Sequence, residues 1–216
     1  QSRGALVALV ITGSYFWWKS RQKFLTTIIL GAAVGIASLI MPEEWYARMR
    51  TIETYEQDAS AIGRINAWWT AWNTAMDRVT GGGFEMWHSA VFARYAPDPG
   101  NVRDVHSIYF EILGEHGFVG LFLFLSLLGL TWFKCWAISR AAKKVPGYRW
   151  AGDLATMIQV TLVGYMTAGA FLGLAYFDYF YHLVAIVVVT HALVRQRLEV
   201  GTGQATTTPA APTLWT

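Results

Sequence analysis

Five apolar runs dominate the order of residues: Ala5–Trp18, Phe24–Met41, Phe118–Ala137, Leu154–Phe177 and Tyr179–Val194. Roughly 20 apolar residues are needed to cross the hydrocarbon of a bilayer as a helix. The first run is short by that measure and is expected to continue beyond Gln1 or to hold Arg3 slightly below the headgroups; the chain opens on Gln and reads as the C-terminal half of a longer protein. The last two runs are joined by Tyr176–Tyr181, an aromatic turn of the kind that forms interfacial belts. After Val200 the Gly, Thr, Ala and Pro residues show no periodicity, and a disordered tail is expected. The pattern predicts an all-α integral membrane protein, a multi-span helical bundle with two transmembrane helices in 1–41, a helical loop over 42–117, three transmembrane helices in 118–194 and a cytoplasmic tail over 195–216.

The loop has its own periodicity. Ser60 is the expected N-cap of a helix over Ala61–Val79, with Ile65, Trp68, Trp69, Trp72 and Met76 at helical spacing. Gly81–Gly83 would stop it, and Ala96–Gly100 reads as a turn. Glu43–Ile52 reads as a shorter amphipathic helix. Asp104 is expected to cap a helix that begins at His106 and places 106, 110, 113 and 117 on one face. Gly117 would end it in a left-handed cap, bending the chain into the Phe118 span.

Composition agrees with the pattern. Hydrophobic residues make up 54% and charged residues 14% of the chain, against about 25% charge in a soluble domain. All five lysines (Lys19, Lys23, Lys134, Lys143 and Lys144) fall, with Arg195 and Arg197, on what the spans make one side. The positive-inside tendency makes that side cytoplasmic. The 42–105 loop then lies outside, with six arginines balanced by nine acidic residues and no lysine.

An ionisable ring at the edge of hydrocarbon costs free energy unless something solvates or uses it. His106 is therefore the first candidate, with Asp104 and Glu111 able to orient it; the bland alternative is a wet interfacial histidine. Arg64 offers a forked donor suited to phosphate oxygens, or simply stacks on Trp68 one turn on. Arg3 heads a span and either snorkels to headgroups or faces a polar cavity. His88, His116, His182 and His191 lack metal-ligand spacing, and Cys135 is alone.

Taken in order, Ser2-Arg3-Gly4, Gly63-Arg64-Ile-Asn-Ala-Trp68, Thr80-Gly-Gly-Gly-Phe84 and the stretch from Asp104 through His106 to Gly120 resemble the C-terminal core of the bacterial O-antigen ligase and polymerase superfamily. The wording of 104–120 is nearest the O-antigen ligase and O-glycosylation ligase branch. The resemblance covers about residues 1–137. Ser107 departs from it, since many members carry Asn after the histidine.

The resemblance implies a multi-pass inner-membrane glycosyltransferase of the lipid-linked-donor type, with its active site in a periplasmic loop. The implied donor is a glycan on undecaprenyl pyrophosphate and the implied acceptor the lipid A–core oligosaccharide; no cofactor, divalent metal or nucleic acid is implied. Arg3 and Arg64 would grip the pyrophosphate and His106 would act as general base, giving inversion; the rival role for His106 is to bind the pyrophosphate as a cation. Repeat-unit polymerase and protein O-oligosaccharyltransferase remain open alternatives. A transporter or flippase part would place ionisable residues deep in the spans, whose middles here are almost free of charge.

Overall fold

The computed structural model describes residues 3–40 and 59–206. All of its regular structure is helical, and no strand occurs among the described residues. The chain divides into two units, Gln1–Gly129 with Val160–Phe177, and Leu130–Gln159 with Asp178–Thr216.

The first unit holds the candidate chemistry. Helix α1 (Arg3–Lys19) turns within three residues into α2 (Lys23–Ile40). The α1 carbonyls left without intrahelical partners at the turn accept from Lys23 Nζ, at Trp17 O and, at 2.6 Å, Trp18 O. Ser20 and Thr26 hydroxyls close the corner at 2.5 Å. The long α3 (Ala59–Asp77) and the short α4 (Ser89–Tyr95) follow. Ser60 lies inside α3 rather than capping it, because the helix begins earlier than its first periodic apolar residue. Glu43–Ile52 lies outside the described residues.

Helix α3 buries its small side chains. Ala67, Thr70, Ala71, Thr74 and Ala75 are all essentially inaccessible, which lets neighbouring backbone approach closely. The two buried hydroxyls are satisfied within the helix, Thr70 donating to Asn66 O at 2.8 Å and Thr74 to Thr70 O at 2.7 Å. Phe92 of α4 and Val105 meet Ala67 in a small core flanked by Trp68, Trp87 and Phe110. Asn73 Nδ2 donates to Tyr95 O at 2.8 Å, tying α4 to α3.

The next helix, α5 (Ile108–Ala141), bends at Gly117, which has φ 64° and ψ −162°. The expected bend is there, but the geometry is not a left-handed cap, since the helix resumes at once. A Cβ on Gly117 would lie 1.9 Å from Val79 O, so only glycine lets the end of α3 come this close. Gly82 N and Gly83 N donate to Gly114 O and Glu115 O at 2.8 and 2.9 Å. These bonds use carbonyls that the bend removes from the helical ladder.

Helix α6 (Arg149–Gly169) ends eight residues before the expected Phe177. Residues 170–177 unwind because better partners exist elsewhere: Tyr165 Oη donates to Leu174 O at 2.9 Å, and Ala175 N donates to Glu111 Oε2 at 3.2 Å.

In the second unit, the end of α5 packs on the start of α6. Ser139 Oγ donates to Gly152 O at 3.1 Å, and Gln159 Nε2 to Trp132 O at 3.3 Å. Cys135 and Ile138 are buried there. Helix α7 (Asp178–Thr206) extends past Val200, which corrects the expected disorder up to that point. An Arg195–Glu199 pair at 2.9 Å supports its last turns, and extending an existing helix costs far less than starting one.

Among the described residues, three segments are long and apolar enough to cross a membrane: Lys23–Ile40, Ile108–Lys144 and Asp178–Glu199. With the helical architecture, they make this an all-α membrane protein.

Candidate functional site

His106 is not in a helix. It precedes α5, whose first backbone bond runs from Glu111 N to Ser107 O at 2.8 Å, so Ser107 holds the capping position that Asp104 was expected to fill. His106 has φ 44°, a left-handed conformation costing about 1–2 kcal/mol for a residue with a side chain. Such conformations persist where the surroundings over-determine them, and they cluster at functional sites.

The surroundings are specific. Asp104 uses one carboxylate oxygen to accept Val105 N–H at 2.8 Å and the other to meet His106 Nδ1 at 2.9 Å. Trp68 Nε1 donates to Val105 O at 2.9 Å while its ring stacks on Phe110 at 5.0 Å and 7°. Val105, the residue before His106, thus has both its N–H and its C=O held by side chains. With Nδ1 turned to a carboxylate, the neutral ring keeps its lone pair on Nε2, the nitrogen suited to take a proton. Both side chains of the pair are about half exposed, 47% for His106 and 58% for Asp104, so a reacting group can reach them.

Arg64 lies on the face of α3 that positions this loop. Gly63 packs against Arg103, whose Cγ would be 2.8 Å from a Cβ there. Asn66, buried, donates to Asp98 O and Asn101 O at 2.9 and 3.0 Å and accepts from Asp98 N at 2.9 Å. The turn over 96–100 therefore exists as expected, but a side chain 32 residues earlier decides where it sits. Arg64 itself has a buried Nε with no hydrogen-bond partner among the described residues. Trp68, one turn on, stacks its ring on Phe110.

Arg3 begins α1. Its neighbour Gly4 abuts Phe171, whose Cβ would lie 2.5 Å from a Cβ at Gly4. Two residues on, Gly173 faces the acidic pair: a Cβ there would lie 3.6 Å from Glu111 Oε2 and 3.8 Å from Asp104 Oδ2. The 170–177 loop thus touches both the start of α1 and the carboxylates beside His106. Glu111 does not orient the ring; it accepts Ala175 N–H instead.

In the sequence residues 170–177 continue the apolar run that begins at Leu154, and Glu115 is not among the candidates. Glu115 is 5% exposed; it accepts Trp87 Nε1 at 3.1 Å and the Tyr176 hydroxyl, which also meets His116 Nε2 at 2.9 Å. The available signal was Gly169 and Gly173 near the end of an apolar run, where glycine marks a break.

The arrangement is a carboxylate-oriented imidazole on a strained backbone, with an arginine whose buried Nε has no partner among the described residues on the helix that fixes its loop. It can accept a proton and bind an anion. No curated protein and no solved structure matches this chain. The model of the family described as O-Antigen ligase matches residues 1–125, more than half of the chain and the whole segment carrying Arg3, Arg64, Asp104 and His106, and on that match the chain belongs to the O-antigen ligase family, whose members are membrane glycosyltransferase-like ligases and polymerases.

Proposed function

We propose that the protein is an O-antigen ligase in the strict sense. It transfers a preassembled glycan from undecaprenyl pyrophosphate to the lipid A–core oligosaccharide at the periplasmic face of the bacterial inner membrane. The acceptor hydroxyl oxygen attacks the anomeric carbon, the bond to the pyrophosphate oxygen breaks, and the hydroxyl proton passes to His106 Nε2. Direct displacement inverts the anomeric configuration. Pyrophosphate is already a good leaving group, so stabilising its developing charge matters more than protonating it. Arg64 and Arg3 supply that charge. Asp104 keeps the base in its working tautomer and stabilises the imidazolium that forms.

The observation that carries this reading is the packing of Gly63–Trp68 against residues 98–105, so that Arg64 sits on the helix that sets the backbone of His106. The expected result for His106→Ala in nanodiscs is loss of transfer with donor lipid still bound. Loss of donor binding instead would make His106 an anion ligand and overturn its role as base. Transfer that proceeds equally well without lipid A–core, yielding longer lipid-linked chains, would identify a polymerase and overturn the acceptor assignment.

A further inference from the structure

Helix α3 is built the reverse of a water-facing helix. Its small residues are inside, while Ile62, Ile65, Trp69, Trp72, Met76 and the following Val79 stand out at spacings of three and four. Between Ile62 and Met76 every exposed position is large and apolar, with Trp69 53% and Met76 63% exposed. At 1.5 Å per residue this stripe is about 21 Å long. Soluble surfaces scatter such residues singly; a continuous row marks a covered face. Beside it Ile65, Trp68, Trp69, Trp72 and Phe110 line an open groove of about 480 Å³ with almost wholly apolar walls.

The row is continuous with a membrane helix. Trp72 packs edge-on against Phe118 at 5.5 Å, the first residue of α5 beyond its bend, and α5 then presents Val119, Phe122 and Leu123 outward. A contiguous apolar surface therefore runs from the exposed side of a helix long and apolar enough to span a membrane onto α3. Tryptophans with aliphatic neighbours on one helix face are the composition that partitions into the headgroup–acyl boundary. We infer that α3 is an in-plane membrane helix, its Ile62–Val79 stripe seated in the leaflet at the His106 end of α5. Bilayer lipid is its partner. This goes beyond the transferase reading and does not depend on it. It makes the bilayer the surface against which Arg64 and the His106 loop are held.

The test uses the full chain with Cys135→Ala, single cysteines from Ile62→Cys, Trp69→Cys and Met76→Cys, and a nitroxide on each, in phosphatidylethanolamine–phosphatidylglycerol nanodiscs. Oxygen is expected to relax these labels strongly and a neutral nickel chelate weakly, with the reverse at Ser89→Cys on α4. Nickel access equal to that at Ser89→Cys would overturn the inference by showing water. Exclusion of both reagents would overturn it by showing protein, either a second copy or residues 41–58 of this chain. Should the label at Trp69 impair folding, the other two positions read the same stripe.

Discussion

Gly117→Ala isolates the contact on which the site's architecture depends. The new Cβ would be placed 1.9 Å from Val79 O, 2.5 Å from Val79 C and 2.6 Å from Gly81 N. All three are backbone atoms, so no flexible side chain can yield. The dihedrals, φ 64° and ψ −162°, fall in a region essentially reserved for glycine, and holding another residue there costs about 1–3 kcal/mol. Relief requires the end of α3 to move away, which breaks the Gly82–Gly114 and Gly83–Glu115 backbone bonds, each worth about 0.5–1.5 kcal/mol. The total is about 2–6 kcal/mol. At roughly 2–4 °C per kcal/mol for chains of 150–250 residues, the apparent melting temperature in nanodiscs should fall by at least about 4 °C. Gly129→Ala is the control: it lies on the same helix with nothing within 4 Å of the new methyl, and should be neutral or stabilising by about 0.5–1 kcal/mol. Melting followed by tryptophan fluorescence reads both. If Gly117→Ala melts with Gly129→Ala, the close approach of α3 to the bend is wrong.

Arg64→Lys should lower transfer about 10–100-fold, the equivalent of about 1.5–3 kcal/mol for a hydrogen bond to a charged group, because an ammonium cannot reproduce the fork; near-normal turnover would remove Arg64 from the anion site. Asn66→Ala should destabilise by about 2–4 kcal/mol, since it leaves the buried donor and acceptors of the 98–101 turn unmatched; a melting temperature unchanged from the parent would refute the clamp. Trp68→Phe keeps an aromatic ring against Phe110 but loses the bond to Val105 O. It should cost only about 0.5–1.5 kcal/mol of stability while lowering transfer severalfold, measured as kcat at saturating donor. A proportional loss in neither quantity would deny that this bond sets the His106 backbone.

The helices and the Gly117 bend were legible because each rests on local physics: long apolar runs that must satisfy their backbone within themselves, and a glycine between two of them. His106 stands out in the sequence as an ionisable ring at the edge of an apolar run, whereas the spacing around Arg64 fits a surface arginine at least as well, and only the ordered motifs single it out. The start of α5 was misjudged by two residues. Asp104 is a good capping residue in isolation, yet here both its oxygens are engaged by Val105 and His106. The unwinding at 170–177 was hidden for a related reason: Phe171, Leu172 and Leu174 look the same in a helix or a loop, and only the distant partners Tyr165 and Glu111 choose between them.

The order of residues by itself determined the class of the molecule and its helical segments, because these follow from the cost of placing apolar or charged groups in water or lipid. Tertiary structure decided which face of α3 is buried and which residues stand next to His106. Periodicity reports that a helix has two faces, but only the close approach of other backbone, which Ala and Thr permit and Trp forbids, selects the face turned inward. Likewise, Gly4 reaches the neighbourhood of Asp104 only through Phe171 and Gly173, a contact set by the shape of the packed chain and absent from any local run of residues.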